Sequence, residues 1–341
     1  MTQNILRTAE ILANPKIISH KQNGSNSLPL VIVNPKSAGG STEIRWAKIA
    51  SELASHFGAF RVEFTNAPGD GIDKALQAAN KGQKFIIACG GDGTINEIAN
   101  GILQSGQEVE LGILPSGTGG DFRRTLNMPN TAREAAKNLR SGATKLIDVG
   151  KVTFFNHKNF QTSRYFLNVS SFGLSASINQ RVKTKNSLGW IPGDILRGKA
   201  KFALSTLQEV FDSDLTTVRV RIDGADEKIL KTINFCVANS RFFGGGMKIA
   251  PDAKLDDGFF DVVNIGDIRT AKILFNAFRL YDGSHLSLSE VKHKNAKRVE
   301  VRQAYESDTI YLETDGELPG RLPAIYEIIP QALKVRVPKS A

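Results

Sequence analysis

The stretch Ile86–Asn100, IIACGGDGTINEIAN, constrains the chain more than any other. Ile86, Ile87, Ala88 and Cys89 offer no polar side chain to solvent, which suits a strand covered on both faces. Gly90, Gly91 and Gly93 follow, with Asp92 set among them and Thr94 read as an N-cap. From Ile95 the apolar residues Ile95, Ile98, Ala99 and Ile102 recur at helical spacing. A glycine loop opening into a helix directs backbone N–H groups and a partial positive charge outward, which suits a phosphate. Taken alone, the loop also reads as a tight strand-to-helix turn with no ligand.

The chain has 341 residues, which predicts two domains. Hydrophobic content of 41% and charged content of 23% are those of a globular protein. Its two cysteines, Cys89 and Cys236, each sit in an apolar run and read as buried thiols, so a disulfide scaffold or cysteine-based zinc site is not expected. Residues 1–27 lack the apolar core of a signal peptide and read as an arm and polar linker. No stretch approaches the ~20 apolar residues of a membrane span. The expected location is the cytoplasm, with peripheral membrane association.

Lys and Arg number 44 against 34 Asp and Glu, a formal charge of +10 that suits anionic membranes or phosphorylated ligands. The cations gather at Arg181, Lys183 and Lys185, at Arg197, Lys199 and Lys201, and at Lys292, Lys294, Lys297 and Arg298, each of which also reads as a solvated face. No nucleic-acid motif or aromatic stacking run accompanies them, so nucleic acid is not an expected partner.

From Leu28 to about Asp148 strands alternate with helices. The strands are Leu30–Val33, Arg61–Thr65, Phe85–Cys89 and Leu111–Leu114, and the helices between them follow Ile44–Phe57, Gly71–Asn80 and Glu97–Leu103, with Phe122–Leu126 and Ala132–Leu139 after the last strand. That alternation predicts a three-layer α/β domain over 28–148. After Asp148 short β-rich runs dominate: Arg164–Val169, Thr217–Ile222, Ile229–Val237, Phe259–Ile265, Arg298–Arg302, Thr309–Glu313, Ala324–Ile329 and Leu333–Val337. They predict an antiparallel β-sandwich over 149–341, with helical insertions near Leu174–Phe211 and Arg269–Tyr281.

Three loops leave strand carboxyl ends in the first domain, where α/β sheets bind ligands. Asn34, Pro35, Ser37, Gly39 and Gly40 form one; Gly91, Gly93 and Thr94 another; Ser116, Gly117, Thr118 and Gly119 the third. Together they suit a phosphate cradle. No Gly-Lys-Ser/Thr follows the glycines, and the G-x-G-x-x-G spacing is missing, so neither a P-loop nor a dinucleotide fingerprint is present. An acid at Asp92 would repel phosphate unless it binds metal, handles a proton or caps a helix.

VNPKSAGG (Val33–Gly40), GGDGTINE (Gly90–Glu97) and LPSGTGGDFRR (Leu114–Arg124) resemble the diacylglycerol kinase catalytic family, which includes bacterial soluble lipid kinases and is related to sphingosine and ceramide kinases. PDAKLDDGFFDVV (Pro251–Val263) and TDGE (Thr314–Glu317) continue the resemblance, which runs over residues 28–337. NAD kinases are more distant relatives. The resemblance implies an α/β nucleotide domain and a β-sandwich lipid-substrate domain with ATP in the cleft. Carried over by motif, the nucleotide contacts are Asn34, Pro35, Ser37, Gly39, Gly40, Thr65, Gly91, Asp92, Gly93, Thr94, Asn96, Glu97, Ser116, Gly117, Thr118, Gly119 and Asp121. It further implies Glu317 as base with Asp315 nearby, proton or metal work for Asp92, and a structural Mg²⁺ held by the Asp257 side chain and the carbonyls of Lys254 and Phe259. The family's Gly-Thr-Gly-Asn-Asp is broken here by Gly120 in place of Asn.

Read without that resemblance, Asp256-Asp257-Gly258 and Asp315-Gly316-Glu317 are equally hairpin turns. Asp252, Asp256 and Asp257 near one turn make a hard-cation site plausible. Phe242-Phe243-Gly244-Gly245-Gly246-Met247 reads as a lipid entrance or a glycine turn over buried Phe. In Ser187–Phe211 an apolar face edged by cations suits either a membrane surface or a covered sheet. The function expected from the whole pattern is transfer of the γ-phosphoryl of Mg-ATP to a lipid hydroxyl, diacylglycerol first. A kinase of a soluble acceptor, as in NAD kinases, and a non-catalytic nucleotide- or lipid-binding homologue stay open, as does a homodimer.

Overall fold

The computed structural model describes residues 28–116, 119–177 and 215–339. The arm 1–27, Gly117, Thr118, both basic clusters between Arg181 and Lys201, and the insertion Ser187–Phe211 lie outside the described residues. The chain divides into two compact units: one runs up to Asp148 and resumes at Gln331, the other is Val149–Pro330.

In the first unit β1 (Leu30–Val33), β2 (Arg61–Phe64), β3 (Phe85–Gly90) and β4 (Glu110–Pro115) form a parallel sheet in the order β2-β1-β3-β4. The helices are α1 (Ser41–His56), α2 (Asp70–Asn80), α3 (Asp92–Ser105), α4 (Asp121–Thr125) and α5 (Ala132–Ser141). Strand side chains alternate between the faces. Val31, Val33, Ile87 and Cys89 form one core with Trp46, Ile49 and Leu53 of α1 and Ala135, Ala136 and Leu139 of α5. On the other face α2 and α3 bury Ala75, Ala79, Ile95, Ile98 and Ile102. Gly101 lets these two helices meet closely, since a Cβ there would lie 2.3 Å from the Ile72 carbonyl oxygen.

The second unit is built on antiparallel strand pairs. Its strands are the later part of β5 (Ala143–Asn156), β6 (Gln161–Phe166), β7 (Val169–Gly173), β8 (Thr216–Ile222), β9 (Lys228–Thr232), β10 (Asn234–Ala238), β11 (Phe260–Ile265), β12 (Val291–Ala296), β13 (Arg298–Gln303), β14 (Tyr311–Thr314) and the first part of β15 (Glu317–Val337). One run reads β12-β11-β10-β7-β14-β15; a second joins β15 to β13, β8 and β9, and β5 to β6. The sandwich core stacks Phe166 on Phe260 at 5.6 Å and Phe172 on Phe235 at 5.1 Å, around a buried Tyr326. Short helices α6 (Thr270–Asn276) and α7 (Arg279–Asp282) follow β11.

The sequence assigns all of 149–341 to the second domain; the structure returns the chain to the first unit at Gln331. The end of β15 pairs in parallel with β4, Lys334 opposite Glu110 and Val335 opposite Leu111. Arg336 grips the Glu110 carboxylate at 2.7 and 2.6 Å through Nε and Nη2. An edge strand of either domain has the same alternation, so only the pairing tells them apart. Ala324–Ile329 and Leu333–Val337, read as two strands, are one continuous β15. The opposite correction applies to Arg164–Val169 and Ile229–Val237, each of which contains a break between two strands.

Candidate active site

β1, β3 and β4 are neighbours and parallel, so the three loops leave the same sheet edge. The chain steps back over β1 to form β3, which puts the reversal of strand order between these two, the usual place for a ligand in such sheets. Asn34 bridges it. Its backbone N–H donates to the Cys89 carbonyl at 2.9 Å, and its side-chain amide donates to Thr94 Oγ1 at 3.0 Å. Ser37 Oγ donates to the Asn34 carbonyl at 2.9 Å and lies 2.6 Å from Thr42 Oγ1 and 3.1 Å from Ser116 Oγ. Arg45, which the sequence did not single out, donates from Nη2 to the Ser116 carbonyl and to Ser41 Oγ, each at 3.1 Å. It thereby brings a guanidinium to the first and third loops. Burial pushes the Cys89 thiol up to about 12, which leaves it inert beneath the loops.

Asp92 joins the second loop to the third. Its Oδ2 accepts the N–H groups of Gly120 at 2.8 Å and Asp121 at 3.0 Å, and its Oδ1 accepts that of Phe122 at 3.2 Å. The carboxylate therefore caps α4, a helix 28 residues away, and not the helix it begins. Gly120 takes φ +75°, the left-handed conformation in which glycine carries no strain. Asp121 is buried and its Oδ1 accepts from Arg124 at 2.7 Å.

Several predicted contacts turn out to hold the scaffold. Thr94 is not an N-cap: α3 starts at Asp92, Gly91 is its N-cap residue with an extended backbone, and Thr94 lies buried in the first turn under the Asn34 amide. Glu97 accepts the N–H groups of Gly69 at 2.9 Å and Gly71 at 3.1 Å and so caps α2. Asn96 is buried within α3, where its carbonyl and side-chain oxygens accept from Asn100. Thr65 is buried with its N–H on the Val33 carbonyl at 2.9 Å, and the Pro35 carbonyl accepts from Glu43 at 3.2 Å. Gly39, Gly40 and Gly93 have open space where a Cβ would stand, and a Cβ at Gly119 would come 2.9 Å from Asp92 Oδ2.

In the second unit the Asp-Gly-Glu turn divides its acids between two environments. The Asp315 carboxylate accepts the N–H groups of Leu167 at 2.8 Å, Asn168 at 2.9 Å and Val169 at 3.1 Å, which staples the turn to the start of β7. Burial pushes Asp315 up to about 6, against the pull of the amides and of Arg164. Glu313, another residue the sequence did not single out, is buried; it accepts from Ser171 Oγ at 2.6 Å and from the Gly316 N–H. Glu317 is exposed. Its alternation with Glu313 and Asp315 was the available signal for Glu313.

Asp256 and Asp257 are exposed, and Asp257 Oδ1 accepts the Phe259 N–H at 3.1 Å. One carboxylate with the carbonyls of Lys254 and Phe259 is a set of hard oxygens that suits a cation keeping much of its water. No group of three His, Cys, Asp or Glu suited to a metal occurs among the described residues.

Residues 29–152 match the family model described as the diacylglycerol kinase catalytic domain, and 168–337 match that of the YegS C-terminal NAD kinase beta sandwich-like domain. Residues 29–152 thus resemble a diacylglycerol kinase catalytic domain, and the full-length relatives carry the same name. A Bacillus subtilis relative named diacylglycerol kinase is 28% identical over 312 residues, 91% of this chain and 96% of the relative. A Mycobacterium tuberculosis relative of that name is 28% identical over 310 residues, 90% and 94% of the two chains. A Bacillus anthracis crystal structure described as a diacylglycerol kinase superposes with a TM-score of 0.69 at 25% identity, over 94% of this chain and 99% of that one. The family's asparagine and this chain's Gly120 share one property: both tolerate the left-handed backbone that α4 needs at its N-terminus.

Proposed function

We propose that the protein is an ATP-dependent lipid kinase whose acceptor is diacylglycerol, with phosphatidic acid as product. The observation that carries this is the convergence of three N–H-rich loops at adjacent strand ends, locked together by Asn34, Ser37 and Asp92, in a stretch that matches the diacylglycerol kinase catalytic domain.

The first-unit loops present Asn34, Ser37, Gly39, Gly40, Gly93 and Ser116 to the nucleotide phosphates, and Arg45 adds positive charge beside them. Gly117 and Thr118 belong to the same loop by motif. In the transfer, the bond from the γ-phosphorus to its bridging oxygen breaks and a bond to the lipid hydroxyl oxygen forms. The hydroxyl proton passes to Glu317, and ADP leaves. Positioning and charge neutralisation supply most of the acceleration in such a loose transfer. Mg²⁺ bound with the nucleotide supplies charge neutralisation. The Asp257 side chain and the carbonyls of Lys254 and Phe259 are the residues that would hold a separate structural ion.

Glu317 takes the base role because it is the exposed acid of the turn, whereas Asp315 and Glu313 are spent on backbone amides. Asp92 is likewise engaged by three amides, so its contribution is to hold the third loop at the phosphates. A lipid acceptor also implies work at a membrane surface; no helix among the described residues is long and apolar enough to cross a bilayer.

Mass spectrometry of a total lipid extract incubated with purified protein and ATP tests the acceptor. Phosphatidic acid as the main new species supports the proposal. Phosphorylated sphingosine or ceramide in its place overturns the acceptor, and phosphorylation of NAD with no lipid product overturns the lipid-kinase reading.

A further inference from the structure

Helix α6, the turn after it and helix α7 each carry an aromatic side chain turned to solvent: Phe275 is 80% exposed, Phe278 62% and Tyr281 59%. The three lie within seven residues of one another in the chain, all of them exposed. Other described residues here are packed or bonded inward. Leu280 packs with Leu286 and Leu288 against the core of Cys236, Ile249, Val263 and Val291. The Leu280 carbonyl accepts the Lys248 N–H at 2.5 Å, Arg279 reaches Ser287 Oγ at 3.3 Å, and Lys272 pairs with Glu290 at 2.6 Å. The helices are thus fastened from within, and the three aromatic side chains are left over. Large side chains clustered on a fixed exposed surface mark an interaction site.

The surrounding charge selects the partner. Lys248 is tied to α7, Arg269, Lys272 and Arg279 lie on or beside the two helices, and Lys292 and Lys294 are exposed on the edge strand β12 that follows Glu290. Lys272 and Glu290 offset each other, and against the remaining five cations stand Asp267, Asp282 and Asp252. Two copies meeting through this face would bring like charges together. An anionic bilayer answers both components, since aromatic rings settle at the headgroup level and cations bind lipid phosphates.

We propose that Phe275, Phe278 and Tyr281, with their flanking lysines and arginines, dock the protein on an anionic lipid bilayer. The proposal rests on the lipid-acceptor reading for its purpose, while its test is separate. It places the membrane contact on α6, α7 and the turn between them.

The test uses the full chain with vesicles of phosphatidylcholine alone or mixed with phosphatidylglycerol. Wild type is expected to sediment with the anionic vesicles. The double variant F275S/F278S is expected to lose at least about tenfold in vesicle affinity. It keeps its circular dichroism and its turnover of a short-chain diacylglycerol dispersed as monomers. In F278W, brominated lipids are expected to quench fluorescence beyond the wild-type baseline; this variant decides the matter if the double variant fails to fold. Unchanged vesicle binding by a folded double variant overturns the proposal, as does F278W quenching no greater than wild type. Conversion of a dimer to a monomer with vesicle binding intact also overturns it and makes the face a self-interface. Vesicle binding without phosphorylation of any lipid supports docking and overturns the kinase reading alone.

Discussion

Oδ2 of Asp92 accepts the backbone N–H of Gly120 at 2.8 Å. The acid that would fit a phosphate loop worst by charge is therefore the one that holds the second and third loops together. Its negative charge faces the N-terminus of α4, where three N–H groups and the helix dipole stabilise it. The problem the sequence posed, an acid beside phosphates, is met by backbone amides.

Asp92→Asn tests this clamp. Asparagine offers one acceptor oxygen where the structure uses two, so at least one loop amide loses its partner, an effect of about 1–3 kcal/mol. The expected result is a lower melting temperature and a KM for ATP raised about tenfold or more. Steady-state kinetics with ATP as the varied substrate distinguish this from a proton-transfer role, which would lower kcat with KM unchanged.

Gly120→Asn tests the departure from the family motif. Asparagine tolerates the left-handed backbone, and its Cβ would stand 3.1 Å from Arg123 Nε, at the movable end of a side chain. The variant is expected to fold and to keep its activity. Gly120→Val puts a β-branched residue at the same φ and is expected to lose about 1–2 kcal/mol of stability, read by thermal unfolding.

Glu317→Gln separates the two kinds of acid in the Asp-Gly-Glu turn. Glu317 is exposed, so its substitution is expected to leave the melting temperature unchanged while kcat falls about 10²–10⁴-fold. Asp315→Ala frees three backbone amides and is expected to lower the melting temperature instead.

His293 and Asp261 give the sandwich a measurable pH dependence. Their side chains meet at 2.6 Å across β11 and β12, and the hydrogen bond to Asp261 raises the His293 pKa against partial burial. A raised folded-state value means stability fully present below about pH 6.5, the unfolded value, and lost as pH climbs through the folded one. Wild type is expected to exceed His293→Gln by about 1 kcal/mol or less near pH 6, with the difference vanishing near pH 8.5 in thermal melts.

Much of the first unit was legible because each element repeats a simple rule. The run Leu30–Val33 has no polar residue and becomes a fully buried strand; of the helical positions Ile44, Ala47, Ile49, Ala50, Leu53 and Phe57, Ile49, Ala50 and Leu53 fall on the buried side of α1 with Trp46, whereas Ile44 and Ala47 face solvent. The three loops were legible through their glycines and hydroxyls. What stayed hidden depends on partners far along the chain. The capping of α2 by Glu97 shows only when Gly69 and Gly71 are found on its oxygens. Asp92 and Arg45 act through groups 28 and 71 residues away, and β15 shows its double membership only through its pairing with β4. Glu313 shows in the sequence only through its alternation with Asp315 and Glu317, while its bonds to Ser171 and Gly316 appear only in the fold.

The most direct test of the central claim is transfer of radiolabel from γ-labelled ATP to diacylglycerol dispersed in mixed micelles, run with wild type and Glu317→Gln. The account predicts labelled phosphatidic acid with wild type and its near-complete loss in the variant. No labelled product from diacylglycerol, monoacylglycerol, sphingosine or ceramide with folded, ATP-binding wild-type protein would contradict it.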